Sequence, residues 1–535
     1  MMEEDLDTST QGNYHENGTD IKDSSSSINN EMIEALLHRT IAKVNQGEAK
    51  EVNTLTMPPQ SPSKDTPKKK KFKRAIVQIL SVIAISLGHF LDGSALAFTS
   101  PLLPQLMSSN STIPINGQQR NFISSMHSLG ATIGCLVAGM ASRKFGRRGS
   151  VLIFNIPAYF IGYTSLAFAR SVIYIYFGRL LCGFGIGFTL SVPTVYIVEI
   201  TSPEIRGILG VLTNFFCQIG ILCTYVAGYF IDWRMIAITM MIFCIPTIVF
   251  IWFIPESPVY YASIGKDDLA RDTLEALGLD SSPNAIKALH ERVLGEYNAL
   301  TILRELKKPS VYKPFLNSIV LFFFFQCTAY PLLVAYAKHI FIESGIEIEE
   351  NLASIIVGIV IVIGSIFSVP LAKTLPRKFL LLISGGGVAV SLAVLSIFFY
   401  LRDAKLADNI PSLPIVFFII YLLFFMMGFG SISWLFIAEI LPPTIRSTTY
   451  PLCIAWNWIW NFGFAHSFLT LLANLQMSGT FCLYAILSFI GFIFIGFFLP
   501  ETRHKTSEEI AKFFDSSIFD KKESEIQKNT EKDIP

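Results

Sequence analysis

The hydrophobic positions of this chain form long uninterrupted runs that are separated by polar segments. Each run approaches the ~20 apolar residues that a helix needs to cross the hydrocarbon core of a bilayer. Six runs precede a charged interval and six follow it, which predicts an all-α membrane protein. We number the runs as spans one to twelve, at 76–99, 121–141, 150–169, 173–198, 208–231, 235–254, 314–337, 352–372, 379–400, 414–441, 447–472 and 478–499.

The polar segments divide the chain into five parts. Residues 1–74 are polar and too poor in apolar side chains to fold alone, which predicts a disordered N-terminal tail. Residues 255–313 carry Leu and Ile at helical spacing, which predicts amphipathic helices between two bundles. The bundles, of six helices each, cover 75–254 and 314–499, and residues 500–535 form a C-terminal tail.

The positions of the basic residues predict the topology. Lysine and arginine cluster before span one, between spans two and three, between spans eight and nine, and in the central interval. All four clusters lie on one side if the spans alternate, so the positive-inside rule places both termini and the central interval in the cytoplasm. Asn110, in an Asn-Ser-Thr sequence, then lies in the first outside loop and is a candidate for glycosylation.

Composition narrows the possible functions. The chain is 51% hydrophobic and 16% charged with a net charge of +1, which fits a membrane protein and gives no indication of nucleic-acid binding. The eight cysteines lie in apolar spans without a CxxC spacing, so neither disulfides nor a zinc site are predicted. No nucleophile–base pair or metal spacing indicates an enzyme or a cofactor. The expected partners are the lipid bilayer and a small solute, and the oligomeric state stays open.

Two stretches, one in each half, have nearly the same sequence. VYIVEITSPEIRG ends at Gly207 and LFIAEILPPTIRS ends at Ser447, and in each a glutamate is followed seven residues later by an arginine. GRR ending at Arg148 is matched by PRK ending at Lys378, and PESP at 255–258 is matched by the later PETR. A chain built from two such repeats is typical of a secondary transporter, whose site lies between the repeats.

Together with Gly178-Arg179 in span four and PETRHKTSEEI at 500–510, these motifs resemble the sugar porter family of the major facilitator superfamily. The likeness covers about residues 75–512. The chain is most similar to the insect trehalose and glucose transporter branch, as TSP at 99–101 and the long polar N-terminus indicate. The resemblance implies twelve transmembrane helices in two pseudo-symmetric six-helix bundles. It also implies a plasma-membrane carrier that moves a hexose or a trehalose-like disaccharide by alternating access, without a coupling ion.

The resemblance also implies a charged cluster at the cytoplasmic end of each half. A glutamate at the end of a span is costly unless it is paired, and arginine can pair it through two hydrogen bonds. We expect the clusters to hold the halves together in the outward-facing state, although their arginines could instead anchor helix ends against anionic lipid. The members are Glu199, Arg206, Arg147 and Arg148 in the first half and Glu439, Arg446, Arg377 and Lys378 in the second.

A sugar site needs amides, which donate and accept hydrogen bonds, and an aromatic platform for the apolar ring face. A membrane Gln or Asn can alternatively join two helices, and a Trp can simply pack near the interface. The resemblance implies substrate-binding roles for Gln218, Gln326, Trp434, Asn457, Trp458 and Asn461.

Two spans depart from the family's pattern. In span seven, Phe325 stands in place of one of two adjacent glutamines, and Pro331 stands in place of an asparagine. In span ten, Gly430-Ser-Ile-Ser-Trp434 lacks two prolines, and serine bends a helix only slightly. The changes in span seven leave open an unusual sugar, a low affinity or a ligand that is not a sugar, and without the prolines span ten has no sequence signal for flexing during alternation.

Asp92 is an acid within span one. Proton-coupled relatives carry an aspartate three residues later, where this chain has Ala95. Asp92 could therefore couple protons together with Arg179, pair structurally with Arg179 or His89, or line a cavity.

Two other functions remain open from the sequence. The first is an orphan carrier of a non-sugar polar solute, which the changes in spans seven and ten would allow. The second is a nutrient sensor that does not transport and signals through its N-terminal tail.

Overall fold

The computed structural model describes residues 67–109, 111–294, 307–335, 340, 350–406, 412–442, 445–503, 505 and 507–515. The candidate glycosylation site, Asn110, and nearly all of the N-terminal tail lie outside the described residues. Ten helices of the described part are long and apolar enough to cross a membrane. The helix Pro203–Phe230 and the first part of Arg446–Phe498 bring the spans to twelve, so the predicted fold class is confirmed.

The first half contains spans one to six. Span two begins at a capping box, in which Asn116 and Gln119 each accept the other's backbone N–H at 2.8 and 2.9 Å. It ends at Gly146, whose φ of 81° lets the chain turn directly into span three. The six spans are Pro67–Ala97, Gly117–Phe145, Arg147–Ala167, Val172–Ile200, Pro203–Phe230 and Trp233–Phe253, and a short helix, Thr99–Met107, extends span one.

The second half contains spans seven to twelve, and two of them are interrupted. Span seven is Pro309–Cys327 followed by Tyr330–Ala335, and span ten is Leu413–Met427 followed by Phe429–Ile440. Spans eleven and twelve form one stretch, Arg446–Phe498, which breaks at Gln476, where φ is 57°. Spans eight and nine are the helices Glu350–Thr374 and Arg377–Asp403.

Between the first half and residue 294, the structure describes three short helices, at Pro258–Ser263, Asp267–Leu277 and Pro283–Leu294. They share a small apolar core that includes Val259, Leu274 and Leu289. Gln78 of span one donates to the carbonyl oxygen of Leu277 at 2.6 Å, which fixes this group of helices against the first half.

The two halves meet mainly along two pairs of spans, with span two packed against span eleven and span five against span eight. We call the end at which the loops of Arg147, Arg148, Arg377 and Lys378 lie the basic end, and the other the opposite end. This arrangement leaves a space between the halves in the middle of the molecule.

Candidate functional site

A cavity of about 480 Å³ lies between the halves. This volume falls within the ~300–1,000 Å³ range of small-molecule sites. At the basic end it is lined by Gly210, Arg377 and Glu439, and nothing lies within 4 Å of a Cβ built on Gly210. The cavity therefore opens at the basic end.

The opposite end of the cavity is closed by contacts between the halves. The hydroxyls of Ser100 and Ser354 lie 3.1 Å apart. The rings of Phe122 and His466 lie 5.2 Å apart, so span two meets span eleven at the same level. Among the described residues, the route that the structure shows for a solute is therefore the opening at the basic end.

The break in span seven brings polar groups to the cavity wall. Ala329, with φ of 60°, turns the chain between the two helices of the span. The backbone carbonyls that the break frees are satisfied by side chains, since Tyr421 donates to Thr328 at 2.8 Å and Ser488 to Cys327 at 3.3 Å. Gln326, just before the break, therefore has a fixed position at the cavity.

Gln326 joins the amides of span eleven. Its Nε2 donates to Asn457 Oδ1 at 2.8 Å, and its Oε1 accepts from Asn461 Nδ2 at 3.0 Å. Asn461 Oδ1 in turn accepts from the hydroxyl of Ser128, in the first half, at 2.6 Å. The structure thus brings three of the predicted binding residues together and adds Ser128, which the sequence did not indicate.

Gln218 belongs to a second polar group, on the other side of the cavity. Its Nε2 donates to Asn214 Oδ1 at 3.0 Å, and Asn214 donates to Ser431 of span ten at 3.2 Å. The Oε1 of Gln218 is buried and has no hydrogen-bond partner among the described residues. Sequence reasoning missed Asn214, although its place one helical turn before Gln218 on the same apolar span was a signal.

Two tryptophans line the cavity, and their role in substrate binding stays a prediction. Trp434 is half-buried beside Phe322 and Phe325, with ring centroids 5.0 and 5.7 Å away. Trp458 meets the ring of His127 edge-on at 6.1 Å. Phe325 thus adds an apolar surface where the family has an amide.

Asp92 and Arg179 are both buried, and in this conformation Asp92 does not make the pairing with Arg179 that was one of its three possible roles. Asp92 accepts a hydrogen bond from the hydroxyl of Tyr159. Arg179 donates instead to the carbonyl oxygen of Ala95 at 2.6 Å and to Thr99 Oγ1 at 2.8 Å. Three residues of helix displace the Asp92 carboxylate by about 4.5 Å along span one, which puts it beside span three. Asp92 does line the cavity.

Span ten is interrupted at Gly428 even though it lacks the two prolines of the family's pattern. A Cβ on Gly428 would lie 2.4 Å from Ser384 Cβ and 2.5 Å from Leu380 O, which only glycine avoids. Ser384 Oγ accepts the N–H of Phe429 at 3.0 Å, and Ser431 Oγ donates to the Met426 carbonyl at 3.0 Å. Close approach to span nine and two serines therefore replace the prolines as the cause of the break.

The basic end of the first half is held by two glutamates. Arg147 donates to Glu199 through Nε and Nη2 at 3.1 and 2.9 Å, and the two side chains are 5% and 10% exposed. Ser257 donates to the same carboxylate. Glu256 of the PESP motif accepts the backbone N–H groups of residues 147–149 at 2.8 to 3.1 Å. It thereby caps the start of span three.

The second half repeats this arrangement with a looser ion pair. Arg377 Nη2 lies 3.6 Å from Glu439 Oε1, and the side chains are 14% and 28% exposed. Glu501 of the PETR motif accepts the backbone N–H groups of Arg377 and Lys378 at 2.9 and 3.0 Å. Thr502 donates to Glu439 at 2.5 Å, as Ser257 does to Glu199 in the first half. The glutamates of the PESP and PETR motifs therefore hold the loops of Arg147 and Arg377, each within its own half.

Both of these ion pairs lie within one half. The expectation that the clusters join the halves concerns the outward-facing state, and it stays a prediction because this conformation is open at the basic end. Arg148 donates to the carbonyl oxygen of Ile254 at 2.9 Å, at the end of span six. Arg446 donates through Nε and Nη2 to the carbonyl oxygen of Leu441, at the end of span ten, at 3.2 and 2.9 Å. Basic side chains commonly satisfy the last carbonyls of a helix in this way. The side chain of Arg206 lies outside the described residues.

Comparison with protein families gives one match that covers most of the chain. The model for "Sugar (and other) transporter" matches residues 80–514. The chain is 33% identical over 443 residues to the facilitated trehalose transporter Tret1 of Culex quinquefasciatus, covering 81% of this chain and 85% of that protein. It is 34% identical over 442 residues to Tret1 of Polypedilum vanderplanki, covering 81% and 87%. It is 33% identical to Tret1 of Aedes aegypti over 443 residues, 81% of this chain, and spans 55% of that longer protein.

Solved structures show the same fold. The proton:xylose symporter XylE bound to 6-bromo-6-deoxy-D-glucose superposes with a TM-score of 0.71 at 22% identity, covering 82% of this chain and all (100%) of that one. The inward open conformation of the xylose transporter XylE from E. coli gives a TM-score of 0.65 at 21% identity, covering 81% and 98%.

Proposed function

We propose that this chain, which belongs to the Sugar (and other) transporter family, is a facilitative carrier. It moves a hexose or a trehalose-like disaccharide across the plasma membrane. Relatives that are about one-third identical are facilitated trehalose transporters, which favours this substrate class. Members of the family are transporters and not enzymes, so the chemistry of the site is recognition alone.

The observation that supports this proposal best is a cluster of three side-chain amides that lines the cavity between the halves. Gln326, Asn457 and Asn461 line one cavity with Trp434. Amides donate and accept hydrogen bonds and therefore fit hydroxyls in either role, whereas an indole fits the apolar face of a pyranose. This combination is what a small polyol ring requires.

The proposed orientation places the basic end in the cytoplasm, as the positive-inside rule requires. With that orientation the cavity opens inward, because Arg377 and Glu439 stand at its entrance. Alternating access then requires the opposite end to separate at the Ser100–Ser354 contact, while the basic end closes. Each half moves as a unit, since its charged loop is fastened within the half.

A second candidate function keeps the carrier but changes the cargo to a non-sugar polar solute. Phe325 and Pro331 line the cavity at positions where the family has amides, so the site makes fewer hydrogen bonds on span seven. If the cargo is a sugar, Phe325→Gln restores the amide pair and improves binding of hexoses. If the cargo is another solute, the same change lowers its transport and leaves hexose binding absent.

Counterflow in proteoliposomes tests the proposal. Vesicles containing the full-length protein are loaded with unlabelled trehalose or one hexose, and entry of the labelled sugar is followed. We expect transient accumulation with at least one of these sugars and none in protein-free vesicles. Exchange of a different polar solute without any sugar exchange would favour the second candidate. Exchange of no solute, with sugar binding intact, would favour a sensor.

A further inference from the structure

Arg179 of span four is wholly buried against spans one and two. It begins a chain of hydrogen bonds that reaches the candidate sugar site. Its guanidinium can only donate hydrogen bonds. Besides Ala95 and Thr99, it contacts His127 Nδ1 through Nη2 at 3.0 Å. His127 Nδ1 must therefore be the acceptor.

This contact fixes the proton of His127. A neutral imidazole carries one proton, so an accepting Nδ1 leaves the N–H at Nε2. Gly183 keeps span four close enough for the contact, because a Cβ there would lie 2.0 Å from the carbonyl oxygen of His127. His127 lines the cavity, and its only neutral form compatible with Arg179 donates from Nε2.

Ser128 connects His127 to Asn461 of the second half by accepting one hydrogen bond and donating another. His127 Nε2 lies 3.5 Å from Ser128 Oγ, a long contact in which the serine oxygen is the acceptor. The serine proton is then directed to Asn461 Oδ1, 2.6 Å away. Ser128 is wholly buried, so no solvent competes for this bond.

The Ser128 hydrogen bond determines which atoms donate in the remaining bonds, because the oxygen and nitrogen of a side-chain amide are assigned from their hydrogen-bond partners. With Oδ1 of Asn461 occupied by Ser128, Nδ2 donates to Gln326 Oε1 at 3.0 Å. Gln326 Nε2 then donates to Asn457 Oδ1 at 2.8 Å. Reversing the amides would turn the N–H groups of Asn461 toward the Ser128 oxygen, which already accepts from His127 Nε2, and would remove the acceptor of the Ser128 proton. We call these six side chains the polar relay: Arg179, His127, Ser128, Asn461, Gln326 and Asn457.

Asn457 ends the polar relay with its oxygen engaged. No hydrogen bond among the described residues uses its Nδ2, and the residue lines the cavity. We propose that the polar relay positions the amide of Asn457 so that it presents N–H groups, and not an oxygen, to an acceptor-only oxygen of the sugar, the ring or glycosidic oxygen. Arg179, His127 and Ser128 are then positioning residues for recognition. This inference rests on the proposed function.

Two probes that differ only in the ring atom test the inference: 1,5-anhydro-D-glucitol, with a ring oxygen, and 1-deoxynojirimycin, assayed below the pKa of its ring amine so that the protonated nitrogen only donates. Their competition against a labelled sugar is measured on the purified full-length protein. Wild type should bind the ring-oxygen compound about tenfold more tightly, the effect of one well-placed hydrogen bond.

Ser128→Ala leaves Arg179 and His127 in place but allows the amides to reverse. It should therefore bind 1-deoxynojirimycin more tightly than wild type and bring the ratio of the two affinities close to one. His127→Asn, which keeps an acceptor for Arg179 and lacks Nε2, should give the same gain if Ser128→Ala does not fold. Ser128→Thr keeps the hydroxyl and should keep the wild-type ratio.

Ser124→Ala is the matched control, because Ser124 also lines the cavity on span two but donates to the backbone oxygen of Asn121. It should keep the wild-type ratio. The inference is overturned if sugars bind and Ser128→Ala and His127→Asn keep the wild-type ratio, or if Ser124→Ala changes it equally. If wild type binds neither probe nor any hexose or trehalose, the proposed function itself fails.

Discussion

Removing the negative charge of Glu199 should destabilise the protein far more than the equivalent change at Glu439, although the two residues occupy matching places in the repeats. Glu199 makes two hydrogen bonds to Arg147 at 3.1 and 2.9 Å from side chains that are 10% and 5% exposed. Glu439 lies 3.6 Å from Arg377, and these side chains are 28% and 14% exposed. Glutamine keeps the shape of each side chain and removes its charge.

The magnitudes follow from burial. Breaking a buried, doubly hydrogen-bonded ion pair from one side costs about 3–5 kcal/mol. A longer and more exposed pair contributes ~0.2–1 kcal/mol. Glu199→Gln should therefore lower the free energy of unfolding several times more than Glu439→Gln.

The assay is thermal unfolding of the purified full-length variants, measured by intrinsic fluorescence in one detergent. Glu199→Gln should lower the melting temperature strongly and Glu439→Gln slightly. In the double variant Arg147→Gln/Glu199→Gln, the loss should be smaller than the sum of the single losses, because the two side chains interact. Equal shifts for the two glutamates, or additive losses in the double variant, would refute the reasoning.

Three further changes test the site and the fold. Gln326→Ala should weaken sugar binding about tenfold, since a buried ligand hydroxyl loses its partner; an unchanged affinity in a competition assay would contradict this. Uptake should not respond to an imposed pH gradient, because Ala95 has no carboxylate to carry a proton; sugar accumulation that Asp92→Asn abolishes would contradict it. Gly428→Ala should destabilise the protein by ~1–3 kcal/mol through overpacking. Its control is Gly463→Ala, where nothing lies within 4 Å of the added Cβ, and equal melting temperatures would show that span nine yields.

The spans could be predicted because hydropathy alone determines which segments lie in lipid. The pairing of Arg147 with Glu199 could be predicted too, since both belong to motifs that recur in the second half. The role of the Pro-Glu motifs could not, because Glu256 acts on backbone N–H groups more than 100 residues earlier in the chain. A carboxylate that caps a helix leaves no sign in the sequence of the helix it caps.

The break in span ten was missed for a related reason. A proline in the sequence by itself predicts a helix break. A glycine does not, and the helix breaks at Gly428 because Leu380 and Ser384 of the neighbouring span lie against it. The partner of Asp92 was missed because Tyr159 comes from span three, and spacing along span one does not indicate which neighbour faces the acid. Contacts between spans decide such cases, and they follow from the packing and not from periodicity.

The closure of the cavity at the opposite end has a consequence for inhibitors. In the proposed orientation, a compound that cannot cross the membrane meets the Ser100–Ser354 contact when it is applied from outside and cannot reach this conformation. A compound that crosses the membrane enters past Glu439 and stabilises the inward-open population to which it binds. Permeability, together with affinity, will therefore decide which cavity ligands block the carrier in intact cells, and inside-out vesicles will rank the same compounds differently.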